Sequence, residues 1–217
     1  MLHVGTDEVY GDLEPNEAAW TEEALIKPSS PYAASKASAD HLVNAWHRTF
    51  GTPVLITRCG NNYGPYQFPE KLIPLVTTRA MAGSTIPVYG DGMQVRDWIH
   101  AEDHARALWA VLTRGALGRT YHVSAGEQKN NREVITSILR QLGQPESLMT
   151  RVTDRLGHDR RYALDNGRIT RELGWEPTIR WDEGIAQTVR WYEENREWWG
   201  RVTSEAYRAA EALYLRG

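Results

Sequence analysis

Apolar positions along the chain alternate between a period near two and a period near 3.6, so short strands and helices follow one another. A run at residues 2–5 reads as a strand opening straight into Thr6-Asp7-Glu8, with a polar loop as far as Lys27. Ser30-Pro31 supplies a helix cap and a first-position proline, which predicts a helix over 32–50 ended by Gly51 with Pro53 beyond it. Residues 54–57 are β-rich and short enough for a buried strand, and the Gly/Asn-rich stretch 60–65 reads as a loop at its exit. A helix over 70–81 stops at Gly83, and strands at 86–89 and 95–100 flank Gly90-Asp91-Gly92, which has hairpin-turn chemistry.

The second half continues the alternation. Residues 102–113 should form a helix with Ala105, Leu108, Trp109 and Leu112 on one apolar stripe. A strand at 120–124 and a helix at 132–142 closed by Gly143 come next, then a basic segment over 152–161. Further helices are expected at 166–173, 182–199 and 204–215. Strands alternating with helices predict an α/β layered fold with parallel sheet.

Composition narrows the class. A length of 217 residues suits one domain or one and a half, and 41% apolar with 24% charged residues describes an ordinary globular chain. The net charge of −3, without any Lys/Arg run, gives no attraction for a nucleic-acid backbone, and no apolar stretch is long enough to span a bilayer. Cys59 is the single cysteine, which excludes an internal disulfide and fits a reducing cytoplasm; it is expected to pack at a strand end. His100 and His104 are four apart, but they fall at a strand end and inside the next helix with no third ligand, so no metal is expected.

The chemistry concentrates near the N-terminus. Tyr32 and Lys36 are four apart and share a helix face, where an ammonium beside a phenol would lower the tyrosine pKa toward that of a useful base. Thr6, Asp7 and Glu8 add a hydroxyl and two carboxyl groups at a strand end, where α/β enzymes place their sites. Separate acid and base roles can be filled by two such carboxyls.

These residues carry a resemblance. Thr6-Asp7-Glu8-Val9-Tyr10-Gly11-Asp12, Ser29 to Ser38, Arg58 to Tyr66, Pro69 to Leu75, Val95-Arg96-Asp97-Trp98 and Asp154 to Tyr162 together resemble the extended short-chain dehydrogenase/reductase superfamily, and within it the dTDP-glucose 4,6-dehydratases. The resemblance implies part of a Rossmann-like doubly wound parallel sheet over 1–65 with the catalytic residues. Over 66–217 it implies mostly a smaller α/β nucleotide-sugar-binding domain interleaved with returning Rossmann elements. It implies NAD as cofactor, dTDP-glucose as substrate, and a homodimer built on a bundle of two helices per subunit, of which only 32–50 is present.

By the same resemblance, Tyr32 takes the proton of the sugar 4-hydroxyl, Lys36 holds the nicotinamide ribose, and Thr6 bonds the 4-oxygen. Glu8 removes the C5 proton and Asp7 protonates the departing 6-hydroxyl. Asn62 meets the cofactor and Asn61 the nucleotide sugar. Lys71 and Leu72 line the pyrophosphate side, and Pro87-Val88-Tyr89 holds the base. Arg96, Asn131 and Asp154-Arg155-Leu156-Gly157-His158 approach the diphosphate, where guanidinium groups suit phosphate.

A UDP-glucose 4,6-dehydratase or a related NAD-dependent epimerase fits the same pattern, as does a binding module without catalysis. Relative to the family, Gly5 and Gly60 stand where serine is usual and Leu156 where proline is usual. No Gly-x-x-Gly-x-x-Gly occurs in the 217 residues. The pattern places that fingerprint before residue 1, so the expectation is a chain truncated at its N-terminus that alone binds little NAD, does not turn over and tends to associate.

Overall fold

The computed structural model describes residues 1–203; the helix expected at 204–215 lies outside the described residues. Its central sheet holds β1 (Leu2–Thr6), β2 (Leu55–Cys59) and β6 (Thr120–Val123), all parallel in the order β1-β2-β6. Strand β2 is buried at every position. Its alternation sends Ile56 toward Val43 of α1 (Pro31–Phe50), and Leu55 and Cys59 toward Ala107 and Val111 of α3 (Ala101–Arg114). The α5 helix (Gly167–Leu173) joins α3 on that second face through Ile169 and Leu173. This is the parallel sheet that the alternating pattern predicts, in the Rossmann-like form that the resemblance implies, covered on both faces.

A second core lies beside it. Helices α2 (Leu72–Met81), α4 (Asn131–Gln141) and α6 (Trp181–Glu194) pack Ile73, Val76, Ile135, Ile138, Leu139, Ile185 and Val189 against β4 (Ile86–Tyr89). Two small sheets frame this core. In one, β5 (Val95–His100) pairs parallel with β3 (Asn61–Tyr63) and antiparallel with β7 (Gln128–Asn130). In the other, β4 pairs parallel with β8 (Met149–Val152).

Several expectations need correction. Strands β4 and β5 do not form a hairpin: Gly90 and Gly92 turn the chain with φ of 60° and 72°, but the two strands enter different sheets. Turn glycines report a local reversal and carry no information on pairing. The stretch 61–63 is a strand rather than a loop, and β7 and β8 lie almost wholly where no element was expected. On α3 the buried positions are Asp103, Ala107, Ala110 and Val111, while Trp109 and Leu112 are exposed. The larger apolar residues had suggested the opposite stripe, but the tight α3–β2 approach takes alanine and valine. The helix expected over 182–199 divides at Asn195 into α6 and α7 (Arg196–Val202). No helix among the described residues is long and apolar enough to cross a membrane.

Candidate active site

The carboxyl ends of the central strands align, with Thr6 beside Cys59 and Cys59 beside Val123. From Thr6 the chain turns at once into a 3-10 turn, Asp7–Tyr10, capped by the Thr6 hydroxyl, which accepts from the Glu8 amide at 3.3 Å. Helix α1 begins as expected: the Ser30 hydroxyl accepts from the Ala33 amide at 3.1 Å, Pro31 occupies the first turn, and Tyr32 follows. The helix packs against both β1 and this turn, so Tyr32 is delivered to the end of the strand that carries the acidic pair.

The two carboxyls differ. Asp7 is 2% exposed; one of its oxygens accepts from the Thr6 hydroxyl at 3.3 Å and the other has no partner among the described residues. Burial first, then the neighbouring Glu8, pushes its pKa up to about 8, against a weaker opposing pull from Arg96. Asp7 therefore keeps its proton at neutral pH. Glu8 is partly open, and burial raises it too, while Arg96, Arg155 and Lys71 act in the other direction.

Tyr32 departs from the expectation of a lowered pKa. Burial, then the charges of Glu8, Cys59 and Asp7, raise it. The Lys36 ammonium donates to the Val4 carbonyl at 3.4 Å. Sharing a helix face is necessary for the pair to act together, but Lys36 is not among the charges that act on the Tyr32 phenol.

Across from the acidic pair sits Arg96 on β5, 8% exposed, donating to the carbonyls of Val95 (2.8 Å) and Asp159 (3.0 Å). Its guanidinium lies 4.2 Å from the centre of the Tyr162 ring, and the Tyr162 hydroxyl donates to Asp159 at 2.6 Å. Ser29, just before α1, donates to the same Asp159 carboxylate. Arg96, Arg155 and Lys71 are the cations whose charges act on Glu8, against that of the Asp159 carboxylate.

Asn62 at the exit of β2 is held by three contacts: its amide nitrogen donates to the Gly60 carbonyl (3.2 Å) and Cys59 Sγ (3.4 Å), and its oxygen accepts from His104 Nδ1 at 2.7 Å. Asn61 begins β3 beside it, opposite Trp98. Lys71 pairs with Glu70 at 3.0 Å, and Leu72 packs against the second core. On β4 the alternation leaves Pro87 and Tyr89 half-buried and turns Val88 into the core, so Val88 can meet a ligand only through its backbone. The Arg155 guanidinium lies 5.1 Å from the Tyr89 ring centre, which brings the 154–158 loop onto that strand. Asp154 accepts from His158 Nδ1 (2.7 Å) and Gln94 (2.8 Å). Gly157 turns the loop with φ of 65°, and Leu156 stands fully in solvent at its tip. Asn131 opens α4 with its amide on the Gln94 carbonyl at 3.1 Å. A cleft of about 390 Å³ beside these residues is bordered by Val88, Gly90, Arg132, Met149 and Arg151. A larger groove of about 710 Å³, between α3 and the Gly174–Thr178 region, lies apart from the acidic pair.

Sequence reasoning gave no role to Tyr10, Asp40, Arg58, His104, Asp159 or Tyr162. A signal existed for Asp40, which continues the 32–36–40 helical period, while Arg58, Asp159 and Tyr162 lay inside the recognised blocks. The two glycine departures have a steric basis. A Cβ on Gly60 would stand 2.5 Å from the Asp97 carbonyl, and one on Gly5 would lie 3.0 Å from the Thr57 carbonyl and 3.1 Å from Asp40 Oδ1.

Comparison with known proteins is consistent with this geometry. A family model described as GDP-mannose 4,6 dehydratase matches residues 1–188. The dTDP-glucose 4,6-dehydratase of Neisseria meningitidis serogroup B is 51% identical over 95% of the chain and 61% of that protein, and that of Xanthomonas campestris pv. campestris is 52% identical over 96% and 62%. The crystal structure of DesIV, a dTDP-glucose 4,6-dehydratase from Streptomyces venezuelae with NAD and TYD bound, superposes with a TM-score of 0.90 at 51% identity, covering 93% of this chain and 62% of that one. A Thermus thermophilus UDP-glucose 4-epimerase in complex with NAD gives 0.83 at 29% identity, over 89% and 64%. The chain spans about three-fifths of the length of the curated relatives it matches. With its sheet, its acidic turn and its tyrosine helix in that family's order, the chain belongs to the GDP-mannose 4,6 dehydratase family, and within it is similar to the dTDP-glucose 4,6-dehydratases.

Proposed function

We propose that the chain carries the catalytic and nucleotide-sugar-binding part of an NAD-dependent dTDP-glucose 4,6-dehydratase, which forms dTDP-4-keto-6-deoxyglucose. The observation that carries this reading is the asymmetry of the acidic pair. Burial pushes Asp7 up to about 8, while its neighbour Glu8, also raised by burial and by Asp159, is drawn back toward the ionised form by Arg96, Arg155 and Lys71. Loss of water across C5 and C6 needs a base for the carbon acid and an acid for the leaving hydroxyl, in addition to the redox base. Epimerisation at C4 needs neither, so the pair favours a dehydratase.

The residues at the strand ends fit a dinucleotide. Tyr32 and Lys36 present a phenol and an ammonium suited to a ribose diol, and Asn62 is held in place beside them by His104. NAD, when bound, would accept a hydride from the sugar C4 and return it to C6. Tyr32 takes the 4-hydroxyl proton while Thr6 donates to the same oxygen. Glu8 then removes the C5 proton, whose acidity follows from the new ketone, and Asp7 delivers its proton to the departing 6-hydroxyl. Lys71, Arg96, Arg155 and His158 neutralise the diphosphate, Leu72 borders it, and Asn61, Asn131, Pro87, Tyr89 and the Val88 backbone meet the nucleoside. The Asp154, Leu156 and Gly157 positions shape the loop that carries Arg155 and His158.

On this reading residues 1–65 with the returning β6 strand belong to the cofactor-binding unit, and most of 66–217 to the substrate unit. A cytoplasmic homodimer is the assembly proposed. The free Cys59 is in keeping with that compartment, and the exposed Leu42, Trp46 and Phe50, on successive turns of α1, supply an apolar face for a second subunit. The test is product analysis after incubating the whole protein with dTDP-glucose and NAD. A 4-keto-6-deoxy sugar is expected; unchanged substrate or a C4 epimer would overturn the reading.

A further inference from the structure

We propose that Arg58 is a positioning residue: with Tyr10 and Asp40 it forms a buried clamp that fixes the turn bearing Asp7 and Glu8 against the helix bearing Tyr32 and Lys36. Its functional meaning rests on the dehydratase reading, but the clamp itself does not. Asp40 is fully buried on α1, one turn beyond Lys36 and two beyond Tyr32. Arg58 reaches it from the α1-facing side of β2, with Nε 2.7 Å from Asp40 Oδ2. His3 on β1 donates to the other oxygen at 2.9 Å. The Arg58 guanidinium also donates to the Tyr10 hydroxyl and lies 5.0 Å from the centre of that ring.

The chain of donors ends cleanly. Burial pushes His122 down to about 3, so its ring is neutral and accepts the Tyr10 proton at 2.6 Å. Burial also pushes Tyr10 up to about 12, so the phenol keeps that proton to give. Every link therefore donates in one direction, from His3 and Arg58 to Asp40 and from Arg58 through Tyr10 to His122. Tyr10 lies three residues after Asp7 in a turn of about three residues per repeat, so the two sit on one edge of it. A displacement of Tyr10 carries Asp7 with it. Breaking one partner of a buried pair leaves the other uncompensated, which gives the clamp its stiffness.

The test reads the Asp7 carboxyl by carbon-13 NMR titration in the chain without added substrate or cofactor, using Asp7→Asn for assignment. The charges acting most strongly on Asp7 are Glu8, Arg96 and Asp97, not Arg58, so a changed midpoint reports movement of the turn and not a lost neighbouring charge. Arg58→Met and Tyr10→Phe are each expected to lower the Asp7 midpoint from about 8 by about one unit or more, as the loosened turn admits water. Tyr10→Phe keeps its ring stacked on Trp20 at 5.1 Å and decides the matter if Arg58→Met does not fold. A merely structural role would lower the melting temperature and leave the midpoint in place. Equal midpoints in the parent and the folded variants would overturn the proposal. Since nothing is turned over in this titration, a failure of the dehydratase reading would show only in the product assay.

Discussion

Asp7 and Glu8 are neighbours in sequence, and one peptide unit gives them different environments. Asp7 points into the protein with one oxygen unpartnered among the described residues, and its proton stays because burial of the charged form outweighs the pull of Arg96. The consequence for stability has a definite sign. The folded midpoint, about 8, lies above the ordinary 3.8, so the folded chain holds a proton that the unfolded chain releases between those values. The contribution is fully present below about pH 4 and lost as pH rises through about 8. Asp7→Asn keeps the shape and removes the titration. Thermal unfolding across this window should show the variant gaining on the parent by up to about 1.4 kcal/mol per pH unit. A constant difference from pH 4 to 8 would contradict the buried-acid account. At this scale the sequence named Asp7 and Glu8 as adjacent carboxyls but did not reveal their different environments. Lys36 was expected to tune Tyr32, yet its ammonium sits on the Val4 carbonyl, and a spacing of four cannot say where a long flexible stem ends.

At the scale of elements, α1 does most to assemble the site, and its beginning is specified locally. Ser30 caps the first turn and Pro31 pre-sets its backbone, so Tyr32 enters the site from a rigid start. Ser30→Ala should cost about 1 kcal/mol of stability and loosen the turn that presents Tyr32. Chemical denaturation measures the first effect, and a loss below about 0.3 kcal/mol would mean that the hydroxyl is not the working cap. Elements with such local signatures were legible: α1 from Ser30-Pro31 and Gly51, α4 from its closing Gly143, and β1 from its run into Thr6. Elements defined by distant partners were not. Strand β4 finds β8 some sixty positions along the chain, and neither strand names the other in its own residues. The exposed Trp109 on α3 shows the related limit, since size and apolarity did not decide which face of the helix meets β2.

Across the whole molecule, the acidic turn and the tyrosine helix extend from the central sheet, while the cations that act on Glu8 come from β5 and from the residues before α2 and after β8. Chain order made the α/β layering legible and the resemblance its Rossmann-like form, while the convergence of Arg96, Tyr162 and Asp159 depends on the return of 159–164 alongside β5, through the Val95–Arg161 bridge. The exposed stripe on α1 belongs to this scale as well. If it joins two subunits, Leu42→Glu with Trp46→Glu should convert a dimer to a monomer in sedimentation velocity, whereas an unchanged sedimentation coefficient would place the contact elsewhere.

The central claim, that Glu8 and Asp7 divide the base and acid work of an elimination begun at Tyr32, is tested most directly by Glu8→Gln in the whole protein. Single-turnover absorbance with dTDP-glucose and NAD should show NADH rising and persisting, with no 4-keto-6-deoxy sugar released, because the substrate is oxidised but its C5 proton is not removed. Release of that product by the variant at the rate of the parent would contradict the account.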